Sequence, residues 1–99
     1  MVKRFVMETI RQRIIACLSE VSMSAIDISQ DLGIMEKEVY EHLPHIARSV
    51  ASQGKSLVIH PSMCLKCGFV FENRKRFTRP GRCPQCRETR IRRPAYEIR

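Results

Sequence analysis

Four cysteines stand in two pairs, Cys64-Leu-Lys-Cys67-Gly68 and Cys83-Pro84-Gln85-Cys86, with fifteen residues between the pairs. That separation lies in the range that joins two such pairs into a four-thiolate metal site. Two residues between cysteines let both sulfurs of one turn face a single ion. The second pair then completes a tetrahedron, with metal–sulfur distances of about 2.3 Å for zinc. A closed set of four thiolates has no open position for a substrate, so the expected metal is structural. Zinc is expected, with iron as the alternative.

The elements around these residues divide the chain. Residues 61–93 are too few and too polar to bury a core of their own, so metal binding must supply their folding energy. Gly68 suits a turn whose backbone amides point at sulfur, and Pro84 stiffens the second pair. Phe69 and Phe71 alternate around Val70, which predicts a strand with both rings beside the metal. Phe77 is expected to cover the site from the other side.

The preceding part reads as three helices. Ile10, Ile14, Ile15 and Leu18 recur at helical spacing from Glu8 to Ser19. After a break at Val21-Ser22-Met23, Ser24 and Asp27 form a capping-box-like start. That second helix carries Ala25, Ile28 and Leu32 inward and stops at Gly33. A third helix runs from Glu36 to Leu43, where Pro44 should end or kink it, with a continuation to Ser52 closed by Gly54. Two short helices joined at a glycine turn, backed by an earlier helix, form the helix-turn-helix pattern. Ser56–His60 and Ala95–Ile98 read as two strands whose pairing would set the metal module between them, where a winged helix has its wing. The expected architecture is therefore α+β: a winged helix-turn-helix over residues 1–60, completed by a strand at 94–98, with a zinc ribbon at 61–93.

The 99 residues carry a net charge of +8, unevenly spread. Residues 1–54 hold six Lys or Arg against seven Asp or Glu, whereas 55–99 hold twelve against Glu72, Glu88 and Glu97. Nine basic residues fall within 74–93 against the single Glu88. This predicts a phosphate-binding face on the metal module, made by Arg74, Lys75, Arg76, Arg79, Arg82, Arg87 and Arg90. On the third helix Lys37, Tyr40 and His42 are the candidate outward residues. Glu36, Glu38 and Glu41 beside them would repel a phosphate backbone, so these three rank second to the arginines.

Catalysis has little footing. His42, His45 and His60 are scattered, and no Gly-rich phosphate loop, nucleophile elbow or carboxylate pair is present. No run of about 18 apolar residues could cross a bilayer. The first residues do not resemble a signal peptide. The chain therefore reads as cytoplasmic, where paired cysteines are ligands more often than disulfides. Cys17, among Ile14, Ile15 and Leu18, is expected to be a small packing residue.

The combination of EKEVYEHLPHIA, CLKCGFVF, CPQC and a closing PAYEI resembles a family of small archaeal predicted transcriptional regulators. These are winged helix-turn-helix domains fused to a rubredoxin-like zinc ribbon, and the resemblance runs from Thr9 to Ile98. It implies a non-enzymatic, zinc-containing DNA-binding protein, with Cys64, Cys67, Cys83 and Cys86 matching the family's metal ligands. The acidic third helix motivates an alternative, a module that docks on the transcription machinery. The ligand pattern is also that of rubredoxin, which holds iron for electron transfer. A homodimer is left open, as for many helix-turn-helix proteins.

Overall fold

The computed structural model describes residues 9–72 and 76–99. Among these residues three helices and five short strands follow in the order α1 (Ile10–Glu20), β1 (Met23–Ser24), α2 (Ala25–Leu32), α3 (Glu36–Ala51), β2 (Leu57–His60), β3 (Met63–Cys64), β4 (Ile91–Arg92) and β5 (Ala95–Ile98). The result is a mixed α+β unit with two antiparallel sheets. One has the order β1-β5-β2, and the other pairs β3 with β4.

Local chemistry sets the helix starts. Thr9 accepts from the Gln12 amide at 3.1 Å while the Gln12 side chain accepts from the Thr9 amide at 2.9 Å. Ser24 and Asp27 make the same reciprocal pair at 3.2 Å in both directions. Each box satisfies two amides that the first helical turn cannot pair internally. Gly33 ends α2 in the left-handed conformation, φ 70°, and the Gly33 and Ile34 amides both donate to the Ser29 carbonyl. Met35 offers no capping oxygen to α3. Glu38 compensates in part, accepting from the Met35 amide at 3.2 Å.

The third helix and its expected continuation to Ser52 are one element: α3 runs unbroken through Pro44 to Ala51. Val39, Leu43, Ile46 and Val50 lie on one face across the proline and are all fully buried. Their burial, at roughly 1.5–3 kcal/mol each, outweighs about 3 kcal/mol for an interior proline. Pro44 itself is exposed, on the side where a helix can open without disturbing the core. Replacing Pro44 with Ala restores a donor for the Tyr40 carbonyl. We expect a stability gain of about 1–2 kcal/mol, reduced by the looser unfolded chain and read as a higher urea midpoint.

The core joins Ile14 and Leu18 of α1, Ala25 and Ile28 of α2, the four α3 residues, and Tyr96 and Ile98 of β5. Strand β5 is central. Leu57, Val58, Ile59 and His60 of β2 face Ile98, Glu97, Tyr96 and Ala95, and Met23 and Ser24 of β1 face Tyr96 and Ala95. Residues 61–94 leave the sheet at His60 and return at Ala95. On the outer face His60 and Glu97 pair at 2.8 Å. The neighbouring His60, followed by Arg99, holds the Glu97 carboxyl below the usual range.

Candidate metal centre

The four sulfurs converge. One donor atom from each of Cys64, Cys67, Cys83 and Cys86 lies within 4.8 Å of the others. Two of the separations, Cys64 to Cys86 and Cys67 to Cys83, are 3.5 and 3.6 Å. A tetrahedral ion with bonds of about 2.3 Å places its sulfurs about 3.8 Å apart, so the donor set fits one metal of this kind.

Two backbone turns of the same design hold the sulfurs. In the first, the Cys64 amide donates to the Phe69 carbonyl at 2.8 Å and the Gly68 amide to the Cys64 carbonyl at 3.0 Å. In the second, the Cys83 amide donates to the Glu88 carbonyl at 2.9 Å and the Arg87 amide to the Cys83 carbonyl at 2.8 Å. Strands β3 and β4 close the first turn from behind, with Met63 opposite Arg92 and Cys64 opposite Ile91.

Amides tune the sulfurs toward the charged form. The Cys67 amide, helped by that of Lys66, brings the Cys64 thiol down to about 6. Burial pushes Cys83 up, but the amides of Cys86 and Gln85 outweigh it and leave it low. The Glu88 amide favours the Cys86 thiolate, yet burial and the other three sulfurs hold Cys86 up at about 12. Four thiols this close cannot all ionise without a cation among them, and a divalent metal supplies that charge.

Phe69 and Phe71 meet edge to face with centroids 5.1 Å apart and are half-buried. They form no regular strand; Val70 makes only an isolated bridge to Met63. Phe77 does not cover the metal. It packs on the helical core, its ring 6.0 Å from that of Tyr96, and its carbonyl accepts from the Tyr96 hydroxyl. The residue thus anchors the long loop to the sheet, because the buried Tyr96 offers far more apolar contact than the small metal module.

Arg76, Arg79, Arg82, Arg87 and Arg90 are exposed, and none forms an ion pair among the described residues. Arg74 and Lys75 lie outside the described residues. Arg87 has φ 66°, at the position that Gly68, φ 81°, occupies in the first turn. A non-glycine residue there costs about 1–2 kcal/mol.

On α3 the predicted residues separate. Lys37 is exposed. Tyr40, expected to face outward, is half-buried against the core and donates to Glu36 at 2.8 Å. Burial, followed by that bond, pushes its phenol up to about 12. His42 is half-buried and accepts from the Arg11 guanidinium at 3.1 Å. Glu36 also lies 3.9 Å from Arg93, whose Nε is buried. Two of the three carboxylates on this helix therefore serve the protein itself: Glu36 faces Arg93 and Tyr40, and Glu38 caps Met35. The spacing of the acids hides this, because Arg93 comes from a distant segment.

Among the described residues no helix is long and apolar enough to cross a membrane. Cys17 is half-buried with its sulfur 3.6 Å from Asp31. Burial, then Asp31, raises its thiol above the ordinary value, so it is not an activated nucleophile.

Comparison with known proteins adds a lineage to this geometry. No curated protein matches the chain. The solution NMR structure of protein PF0610 from Pyrococcus furiosus is similar, with 29% identity and a TM-score of 0.78, over 100% of this chain and 96% of that one. The family model described as PF0610-like, N-terminal, matches residues 9–58, which is half of the chain and spans α1 through the start of β2. The chain belongs to the PF0610-like family.

Proposed function

We propose that the protein is a non-enzymatic DNA-binding transcriptional regulator. In this reading a winged helix-turn-helix carries a structural zinc ribbon in place of its wing. The order helix, strand, helix, helix, strand, insert, strand, with β5 between β1 and β2, supports the winged reading. The observation that carries the function is the set of exposed arginines on loops held by the four-cysteine turns. Arg87 keeps a charged side chain where the backbone favours glycine, which makes sense if that side chain reaches a phosphate.

The exposed lane of α3 supports the same reading. It presents Lys37, Glu41, Pro44 and Arg48, so only one of the three acids would meet a nucleic acid there. With Glu36 and Glu38 engaged internally, an acidic docking face loses most of its basis. Zinc is favoured over iron because the module is highly basic and Arg87 departs from the rubredoxin pattern. Metal analysis of the purified protein checks this: one zinc per chain and no colour is expected, and a red protein with stoichiometric iron would sink it.

Binding to random-sequence duplex DNA at two salt concentrations tests the function. Neutralising about six phosphates gives a log–log slope near −5, so affinity should fall about 1,000-fold between ~50 and ~200 mM salt. Salt-independent binding, or none at low salt, would overturn the reading. Selection from the same pool should enrich one motif if the protein is a sequence-directed regulator.

A further inference from the structure

We propose that the crossing of α1 and α3 is a second phosphate seat, built by Arg11, His42, His45 and Arg48. It would grip the backbone of the same nucleic acid on the side of α3 away from the four-cysteine module, and so it rests on the DNA-binding reading. The third helix has three lanes besides its buried face. Glu36 and Tyr40 form one flank, against Arg93 of the module. Lys37, Glu41, Pro44 and Arg48 point outward. His42 and His45 form the other flank, where Arg11 of α1 arrives. A nucleic acid laid along the outward lane would have arginines on both sides of it.

The hydrogen bonds prepare the seat for an anion. Arg11 Nε donates to His42 Nδ1 at 3.1 Å, and an Arg48 terminal nitrogen lies 3.0 Å from His45 Nδ1. A guanidinium has no acceptor, so in both contacts the ring nitrogen accepts. Each imidazole is then neutral with its proton on Nε2, which leaves that N–H as a donor. Each guanidinium, oriented by one bond, keeps further N–H groups free for the oxygens of a phosphate. Neither Arg11 nor Arg48 has a carboxylate partner among the described residues.

The charges acting on His45 come from both helices. Arg11 from α1 depresses its pKa most, followed by burial, Arg48 and His42. Glu41 lies one turn earlier on α3 and is exposed, and Glu38 is bonded to the Met35 amide. A bound phosphate would offset the charge of Arg11, the largest cause of the depression, together with part of that of Arg48. The His45 pKa must then rise on binding, protons are taken up, and affinity grows as pH falls through the bound value.

NMR titration of the His45 ring in the metal-loaded full chain, with and without a short mixed-sequence duplex, tests this. The ring signal is assigned with His45→Gln. An upward shift of the titration midpoint by about one unit is expected, equivalent to about tenfold tighter binding in acid than in base. Arg48→Gln should weaken duplex binding about tenfold at unchanged thermal stability. Duplex binding with an unmoved His45 midpoint would overturn the seat and leave the DNA reading standing. Absence of duplex binding at low salt would overturn both.

Discussion

Chelating the metal, or replacing Cys64 with Ser, is expected to unfold residues 61–94 and weaken nucleic-acid binding at least about 100-fold, leaving only the seat on α1 and α3, while the three helices remain folded at 25 °C. The asymmetry follows from where the apolar groups lie. The ten buried residues of the main core come from the helices and β5, and none comes from 61–94. Among the described residues of that segment Cys64, Cys83, Ile91 and two prolines, Pro80 and Pro94, are the buried apolar side chains, far too few to order more than thirty residues. Binding of a structural zinc contributes on the order of 10–16 kcal/mol in comparable small modules, and a metal held by the four cysteines is expected to contribute similarly here. The cost to the helical part is indirect. Once disordered, the segment becomes a long loop between β2 and β5, and closing it costs roughly 3 kcal/mol. The helical part should therefore melt at a lower temperature without losing its fold. Far-UV circular dichroism before and after chelation should retain most of the helical signal, while amide signals from 61–94 collapse. Loss of the helical signal in step with metal release would show instead that the two parts fold as one.

Much of this architecture is legible in the residues themselves. The cysteine spacing, the Ser24–Asp27 box, the Gly33 stop and the alternation of the last strand are local signals, and each leads to the element found. Features made by distant partners are not legible. Strand β1 is two residues long, and only pairing with Tyr96 and Ala95 makes it a strand. The helix on both sides of Pro44 is legible, but its running on as one element depends on a buried face shared with three other elements, which outweighs the local preference for a break. Phe77 lies in the polar loop between the cysteine pairs, so sequence proximity assigns it to the metal; Tyr96, nineteen residues on, claims it instead. The acids of α3 read as a repulsive surface until Arg93 and the Met35 amide are brought to them. The seat at Arg11 and Arg48 was hidden for the same reason. Within α3 the spacing of His42, His45 and Arg48 hints at a shared face, but nothing local places Arg11 beside it.

Tyr96 joins the two parts, and substitutions there should separate its two roles. It is the largest fully buried side chain and sits in the central strand, opposite Met23 on one side and Ile59 on the other. Tyr96→Ala removes the ring from the middle of the core and should cost about 3–5 kcal/mol. Against a total of roughly 5–15 kcal/mol for a small domain, that brings the protein close to unfolding at 25 °C. Tyr96→Phe keeps the ring and removes only the hydroxyl that donates to the Phe77 carbonyl. The carbonyl is then left in a half-buried site without that donor, at a cost of about 1–3 kcal/mol. Each kcal/mol lowers the melting temperature of a domain this size by about 4–8 °C. Because that bond anchors the loop carrying Arg76 and Arg79, trypsin should cleave there sooner in Tyr96→Phe than in the parent, with the metal still bound. Should Tyr96→Phe leave both the melting temperature and the cleavage rate unchanged, the hydroxyl does not tie the loop. The arginine face would then owe its placement to the cysteine turns alone.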